Sequence, residues 1–237
     1  MRLSSLVGAA ALLALPVISS ALADEGPGDC LGVDFDVAHP IAVVRILPGE
    51  PRVYFIKNSM DAAACPAATD ACQAKAYLIP GNLALVGKTD GAYTCVSYES
   101  AESRKVQWTN GWLPSAGLSP VKPAPAPTLA DWVGQWVHAS GHIDITVGDK
   151  GSLDIRGEGF YAAAQNVHTG VLDAMAKAAA GLLQFADDGT TPFDKTSNDN
   201  GSCLVRMQRI EALLVVEDNN ACGGALVTFT GFYRRQK

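Results

Sequence analysis

Pro120-Val121-Lys122-Pro123-Ala124-Pro125-Ala126-Pro127 puts four prolines into eight residues. Each proline fixes φ at about −65° and removes a backbone donor, so the stretch favours extended polyproline geometry and resists a sheet interior. Alternation with alanine between two globular patterns reads as a semi-rigid spacer rather than a ligand for an aromatic groove. The chain therefore divides into a first unit over 24–119, a linker over 120–128 and a second unit over 129–237. Roughly 100 residues on each side is enough for one modest core apiece.

Both sides read as strands. In the first unit, 41–46, 52–56, 75–79, 83–86, 93–98 and 111–113 are short β-branched or aromatic runs, punctuated by Pro48-Gly49, Pro80-Gly81, Asp90-Gly91 and Asn110-Gly111. Asp90-Gly91 and Asn110-Gly111 suit hairpin turns, because these residue types tolerate positive φ. In the second unit, the strand candidates are 132–139, 143–147, 153–158, 181–185, 203–210, 213–217 and 225–233. Ile143, Ile145 and Val147 alternate with Asp144 and Thr146, the period of a half-buried strand. The Ala-rich 174–180 is a candidate short helix by propensity. The expected fold is all-β, two small antiparallel barrels or sandwiches joined by the Pro/Ala linker.

Two resemblances follow from these residues. Tyr77-Leu78-Ile79-Pro80-Gly81-Asn82, Leu85-Val86-Gly87, Gly91-Ala92-Tyr93-Thr94-Cys95-Val96 and Gly111-Trp112-Leu113-Pro114 resemble the bacterial Src-homology-three-like barrels of exported proteins, over about residues 75–118. That resemblance implies an aromatic-lined groove that accepts peptide or glycan chains, with Tyr98, Trp108 and Trp112 as candidate ligand-binding residues. Gly134-Gln135-Trp136 and the late Arg234-Arg235 resemble the two ends of calycin barrels. There an Arg from the last strand stacks on a Trp of the first, a contact worth about 0.5–2 kcal/mol.

Outward from the units, Arg2, the apolar run 6–18 and the small-residue ending Ala21-Leu22-Ala23 read as a signal peptide over 1–23. About 13 apolar residues are too few to span a bilayer, so no membrane span is expected. The formal charge of −6 and the scattered basic residues argue against a nucleic-acid partner. An exported, periplasmic or extracellular location follows, and all six cysteines lie after the expected cleavage site. An even count in such a chain implies disulfides. Cys203 and Cys222 form a late pair. The four early cysteines allow three pairings, of which Cys65–Cys72 and Cys30–Cys95 are favoured, the first closing a short loop and the second tying the N-terminus to a strand.

Chemical motifs are sparse. Gly157-Glu158-Gly159-Phe160-Tyr161-Ala162 matches the dinucleotide spelling but lacks the acidic residue about 20 positions on, where Lys177 stands, and reads as a bulge or turn. His138, His142 and His168 have no helix or Glu to make a zinc site, and read as turn or surface histidines. Asp187-Asp188 and Glu217-Asp218 read as solvated loop charges. No Gly-x-Ser-x-Gly elbow or phosphate loop is present. No cofactor, metal or catalytic residue is expected. The leading expectation is a non-enzymatic binding or adaptor protein for a cell-wall peptide, a cell-wall glycan or a protein partner. The first alternative is an inhibitor of a lysozyme-type cell-wall hydrolase, using the turn from Glu217 to Gly224. The second is a hydrolase whose site the sequence does not reveal.

Overall fold

A computed structural model describes residues 29–100, 106–163, 165–187, 189, 193 and 201–237. The expected signal peptide over 1–23, Arg104, Lys105 and Asp188 lie outside them. The chain is nearly all β, in two antiparallel sheets.

The first sheet holds seven strands: β1 (Ala42–Ile46), β2 (Val53–Ile56), β3 (Gln73–Leu78), β4 (Leu83–Asp90), β5 (Tyr93–Glu99), β6 (Trp108–Pro114) and β7 (Leu118–Val121), in the order β3-β2-β6-β5-β4-β1-β7. Six of them follow the β-branched runs of the sequence. The seventh runs through Pro120, at the sheet edge, where a missing N–H costs no ladder bond. Asp90 pairs with Tyr93 across a turn in which Gly91 takes φ +54°. Asn110-Gly111 makes no turn. It lies inside β6, where the bare Gly111 lets the Phe55 ring lie across the backbone: a Cβ there would stand 2.9 Å from Phe55 Cδ1.

Strand alternation sends β5 and β6 side chains to two faces. Val96 and Leu113 join Val44, Ile46, Phe55 and Leu78 in one core. Cys95 and Trp112 join Cys30, Ile56, Cys65 and Cys72 in another, built around the disulfides Cys30–Cys95 and Cys65–Cys72. With Cys203–Cys222, both favoured pairings and the late pair are present, and no free cysteine remains among the described residues. Three disulfides fit an oxidising, exported environment. Removing the shortest bridge with Cys65→Ala and Cys72→Ala together should cost about 2 kcal/mol by the loop-entropy relation for its separation of seven, read as the shift of a urea unfolding midpoint.

The second sheet holds eight strands: β8 (Gly134–His138), β9 (Gly141–Val147), β10 (Leu153–Ala162), β11 (Val167–Ala176), β12 (Leu182–Ala186), β13 (Leu204–Ile210), β14 (Leu213–Asp218) and β15 (Gly231–Arg235). Their order, β11-β10-β9-β8-β15-β14-β13-β12, wraps into a nearly closed barrel with β11 and β12 at its seam. Before it, α1 (Leu129–Trp132) carries Trp132 under the barrel floor, and Thr128 donates from its N–H and its hydroxyl to Asp131, both at 2.7 Å. The Ala-rich 174–180 is not helical. β11 continues to Ala176, because Ala174 and Ala176 point into the barrel, where small side chains fit beside Leu172. Residues 225–230 likewise do not belong to the last strand, for a reason that lies in the barrel core.

That core is filled by Trp132, Trp136, Ile143, Ile155, Met207, Phe229 and Tyr233, with their aliphatic neighbours. Phe229, from the long β14–β15 connection, plugs one end. Gly157 and Gly159 on β10 face it, and Cβ atoms there would stand 3.3 and 3.1 Å from its ring. The dinucleotide-like spelling is therefore neither bulge nor turn. It is regular strand whose glycines make room for an aromatic plug. At the other end, Arg235 of the last strand lies over the Trp136 ring, with Cζ 4.7 Å from its centroid, and Arg209 of β13 lies at 4.3 Å. Burial, followed by the nearby Arg235 charge, lowers the Arg209 pKa.

No helix among the described residues is long and apolar enough to cross a membrane.

Candidate ligand cleft at the junction of the two units

The two sheets share a fourth core. Ile41, Val43 and Leu85 of the first unit pack on Ile210, Val215 and Phe232, which point outward from the barrel. Polar groups lock the same junction. Arg206, 1% exposed on the outer face of β13, donates to Glu217 Oε1 at 2.9 Å, to Asp36 O at 2.9 Å, to His39 O at 2.8 Å and to Val37 O. Glu217 Oε1 also accepts the Ile41 N–H at 3.1 Å, and the Gln208 amide donates to Ile41 O at 2.6 Å. The segment 36–41 is thus a strap held to the barrel by the Arg206 guanidinium, with Glu217 and Gln208 fixing its Ile41 end. On the other side of the junction, Glu99 of β5 binds His138 Nε2 at 2.8 Å and the Phe232 N–H at 3.1 Å.

Between strap, β6 and the end of β14 lies a cleft of about 210 Å³. Leu31, Val33 and Trp108 form its apolar walls, and Ser97, Asn110 and Asp218 its polar ones. Asn110 Nδ2 donates to Leu31 O at 2.7 Å and Ser97 Oγ accepts the Val33 N–H at 3.1 Å, so the 31–33 wall is fixed to the sheet. Glu217 and Asp218 correct the reading of solvated loop charges: they are 3% and 2% exposed. Asp218 points into the barrel, where its carboxylate accepts from the Thr228 hydroxyl at 2.6 Å, the Thr230 hydroxyl at 3.0 Å and the Phe229 N–H at 2.9 Å, anchoring the plug. Burial raises the pKa of both acids, against the opposing pull of Arg206 on Glu217 and of these hydrogen bonds on Asp218. Burial also raises the Tyr233 pKa well above its ordinary value, with the Asp218 and Glu99 charges adding to it.

The three aromatic candidates do not share a surface. Trp112 is 0% exposed, stacked into the disulfide core, and is unavailable to a ligand. Trp108 is half-buried, one part in the shared core and one part on the cleft wall. Tyr98 packs on the first core and borders a different groove, of about 580 Å³, between Arg45, Glu99, His138 and Arg234. His138 is no surface histidine, since its side chain is 2% exposed. His142 faces Asp144 at 3.6 Å on the outer barrel face, and His168 binds Ala225 O at 2.5 Å. Among the described residues no group of three His, Cys, Asp or Glu side chains could hold a metal ion.

The cleft's partners were beyond sequence reasoning. Residues 31–35 carry no motif, and Glu217-Asp218 beside Asn219-Asn220 spells an ordinary exposed turn. One signal was available: Glu217-Asp218 directly continues the apolar run Leu213–Val216, and strand alternation then places one acid on each face of β14 rather than both in a solvated loop.

No protein-family model, curated protein or solved structure matches this chain.

Proposed function

We propose that the chain is an exported recognition protein, periplasmic in the simplest case, that holds one ring or side chain of a cell-wall peptide or glycan in the cleft at its junction. The observation that carries this reading is the rigidity of the cleft: its walls come from both units, and those units are locked by a shared apolar core and the Arg206 clamp. Preorganised walls lose little entropy on binding. A volume of about 210 Å³ is below the roughly 300–1,000 Å³ of a site that engulfs a whole cofactor or drug-sized molecule, and fits one residue of a longer polymer. Trp108 supplies a flat apolar wall and Ser97 and Asn110 polar groups beside it, a combination suited to a sugar ring or a peptide side chain. The Src-homology-like and calycin-like readings of the two units agree with recognition, the second through the Trp136–Arg235 contact.

Sedimentation with purified peptidoglycan tests it. Trp108→Ala and, at the exposed rim, Leu31→Glu should each weaken retention about tenfold, equivalent to about 1.4 kcal/mol, with the unfolding midpoint of Leu31→Glu unchanged. Equal retention of both variants and the parent chain would remove the reading.

A second reading, inhibition of a lysozyme-type hydrolase, is favoured by one observation. The exposed residues of the β14–β15 connection are Asn220 and 223–226, not the whole segment from Glu217 to Gly224. They are braced by Cys203–Cys222 and by a bridge between Gly170 and Gly223, and they end in Leu226, 70% exposed at φ +66°. A bulky residue held in the left-handed region on a rigid exposed loop is a strained display of the kind found at binding sites. Suppression of lysozyme in a turbidity assay, lost with Leu226→Gly, is its test.

A further inference from the structure

Ser140 sits in the two-residue turn between β8 and β9, half-buried. Its Oγ lies 2.7 Å from His138 Nδ1, and its own N–H points at the same nitrogen from 3.3 Å. With Nδ1 accepting both, the ring proton sits on Nε2, which donates to Glu99 Oε1 at 2.8 Å. The other Glu99 oxygen is held by the Phe232 N–H. The ring is fixed from its face by Tyr233, with centroids 4.8 Å apart. Gly231 leaves the space this needs, because a Cβ there would stand 2.7 Å from His138 Nε2 and 3.1 Å from Glu99 Oε2. Hydroxyl, imidazole and carboxylate follow one another in the connectivity of an activated nucleophile, its base and the group that orients the base. The turn stands between two openings that His138 and Ala139 both line, the groove between the units and a smaller pocket beside Phe160 and His142.

The geometry points to Ser140 as a nucleophile that accepts an acyl group from an activated ester, with His138 as its general base and Glu99 as a positioning residue. Ser140 Oγ bonds to the ester carbon while its proton passes to His138 Nδ1, and Glu99 balances the imidazolium. The ester C–O bond then breaks as the imidazolium returns that proton to the leaving oxygen. Water adds by the same proton path, releasing the acid and restoring the hydroxyl. Because the Ser140 N–H is turned to its own histidine, the backbone donor that commonly stabilises the oxyanion is committed elsewhere. The site is thereby limited to aryl esters and similarly reactive acyl donors, and leaves ordinary amides intact. This inference is independent of the cleft and of what the cleft binds.

The test is covalent labelling of the intact, oxidised chain with a fluorophosphonate, read by intact mass and peptide mapping, together with release of p-nitrophenol from its acetate ester. One adduct on Ser140 is expected, absent from Ser140→Ala, whose unfolding midpoint stays that of the parent. Glu99→Gln should label at least tenfold more slowly and move the acid limb of the labelling profile to lower pH, since the imidazolium loses its counter-charge; a purely structural Glu99 would leave that limb in place. No adduct, an adduct on another residue, or equal ester hydrolysis by Ser140→Ala would overturn the proposal. Should Glu99→Gln fail to fold, the comparison of parent and Ser140→Ala decides it alone.

Discussion

Arg206→Met should lower the thermal unfolding midpoint by on the order of 10 °C. The substitution keeps much of the side chain's volume but strips Glu217 of its partner inside the junction, and breaking a buried pair from one side typically costs about 3–5 kcal/mol. For a chain of this size each kcal/mol moves the midpoint by about 2–4 °C. Three strap carbonyls lose their donor at the same time, and the Phe35 and Phe193 rings, 5.7 and 5.0 Å from the guanidinium carbon, lose the cation between them. The deficit should depend on pH with a definite sign. Burial already raises the folded pKa of Glu217 above its unfolded value, so the folded chain binds the extra proton and stability falls as pH rises through that interval. Removing Arg206 raises that pKa further, because the guanidinium was the opposing influence. The gap between variant and parent should therefore be widest at neutral pH, narrow as pH falls from the raised value towards the ordinary carboxylate range, and stay level below it. A gap independent of pH, measured by differential scanning calorimetry, would mean that Glu217 is solvated in the variant and the junction has opened.

Phe229→Ala should be comparably severe, at about 3–5 kcal/mol in denaturant unfolding, since it empties a fully buried ring from a site built around it. Gly157 and Gly159 contribute no side chains that could collapse into the space. The companion change Gly159→Ala should be destabilising alone, as its Cβ would stand 3.1 Å from the ring, and partly compensating in the Phe229→Ala background. A double variant no better than the sum of the two singles would show that the plug and the glycines do not touch in solution.

What the sequence revealed and what it hid divide along one physical line. Runs whose neighbours are close in the chain, such as 41–46, 93–98 and 143–147, read correctly as strands, because local alternation reports a half-buried surface. The disulfides were legible because export and loop length constrain them. Gly157-Glu158-Gly159, by contrast, owes its glycines to Phe229, some 70 positions away in the numbering, and no local pattern encodes such an obligation. Arg206 and Gln208 alternate with Val205 and Met207 as a solvated outer face should, yet that face is covered by the strap and the first sheet. The same long-range covering put Trp112 under two disulfides, sank Glu217 and Asp218, and paired His138 with Glu99. Site geometry was hidden for this reason: each wall of the cleft is a surface in its own unit and becomes a wall only when the other unit arrives.

The Pro/Ala spacer suggests two beads on a string, but the junction makes them one thermal body. Ile210, Val215 and Phe232 carry their apolar surface on the outside of the barrel and hide it only against Ile41, Val43 and Leu85. A barrel released by cutting within 122–128 and separated from its companion would show that greasy stripe to water, and heating the intact chain should produce a single calorimetric peak rather than two.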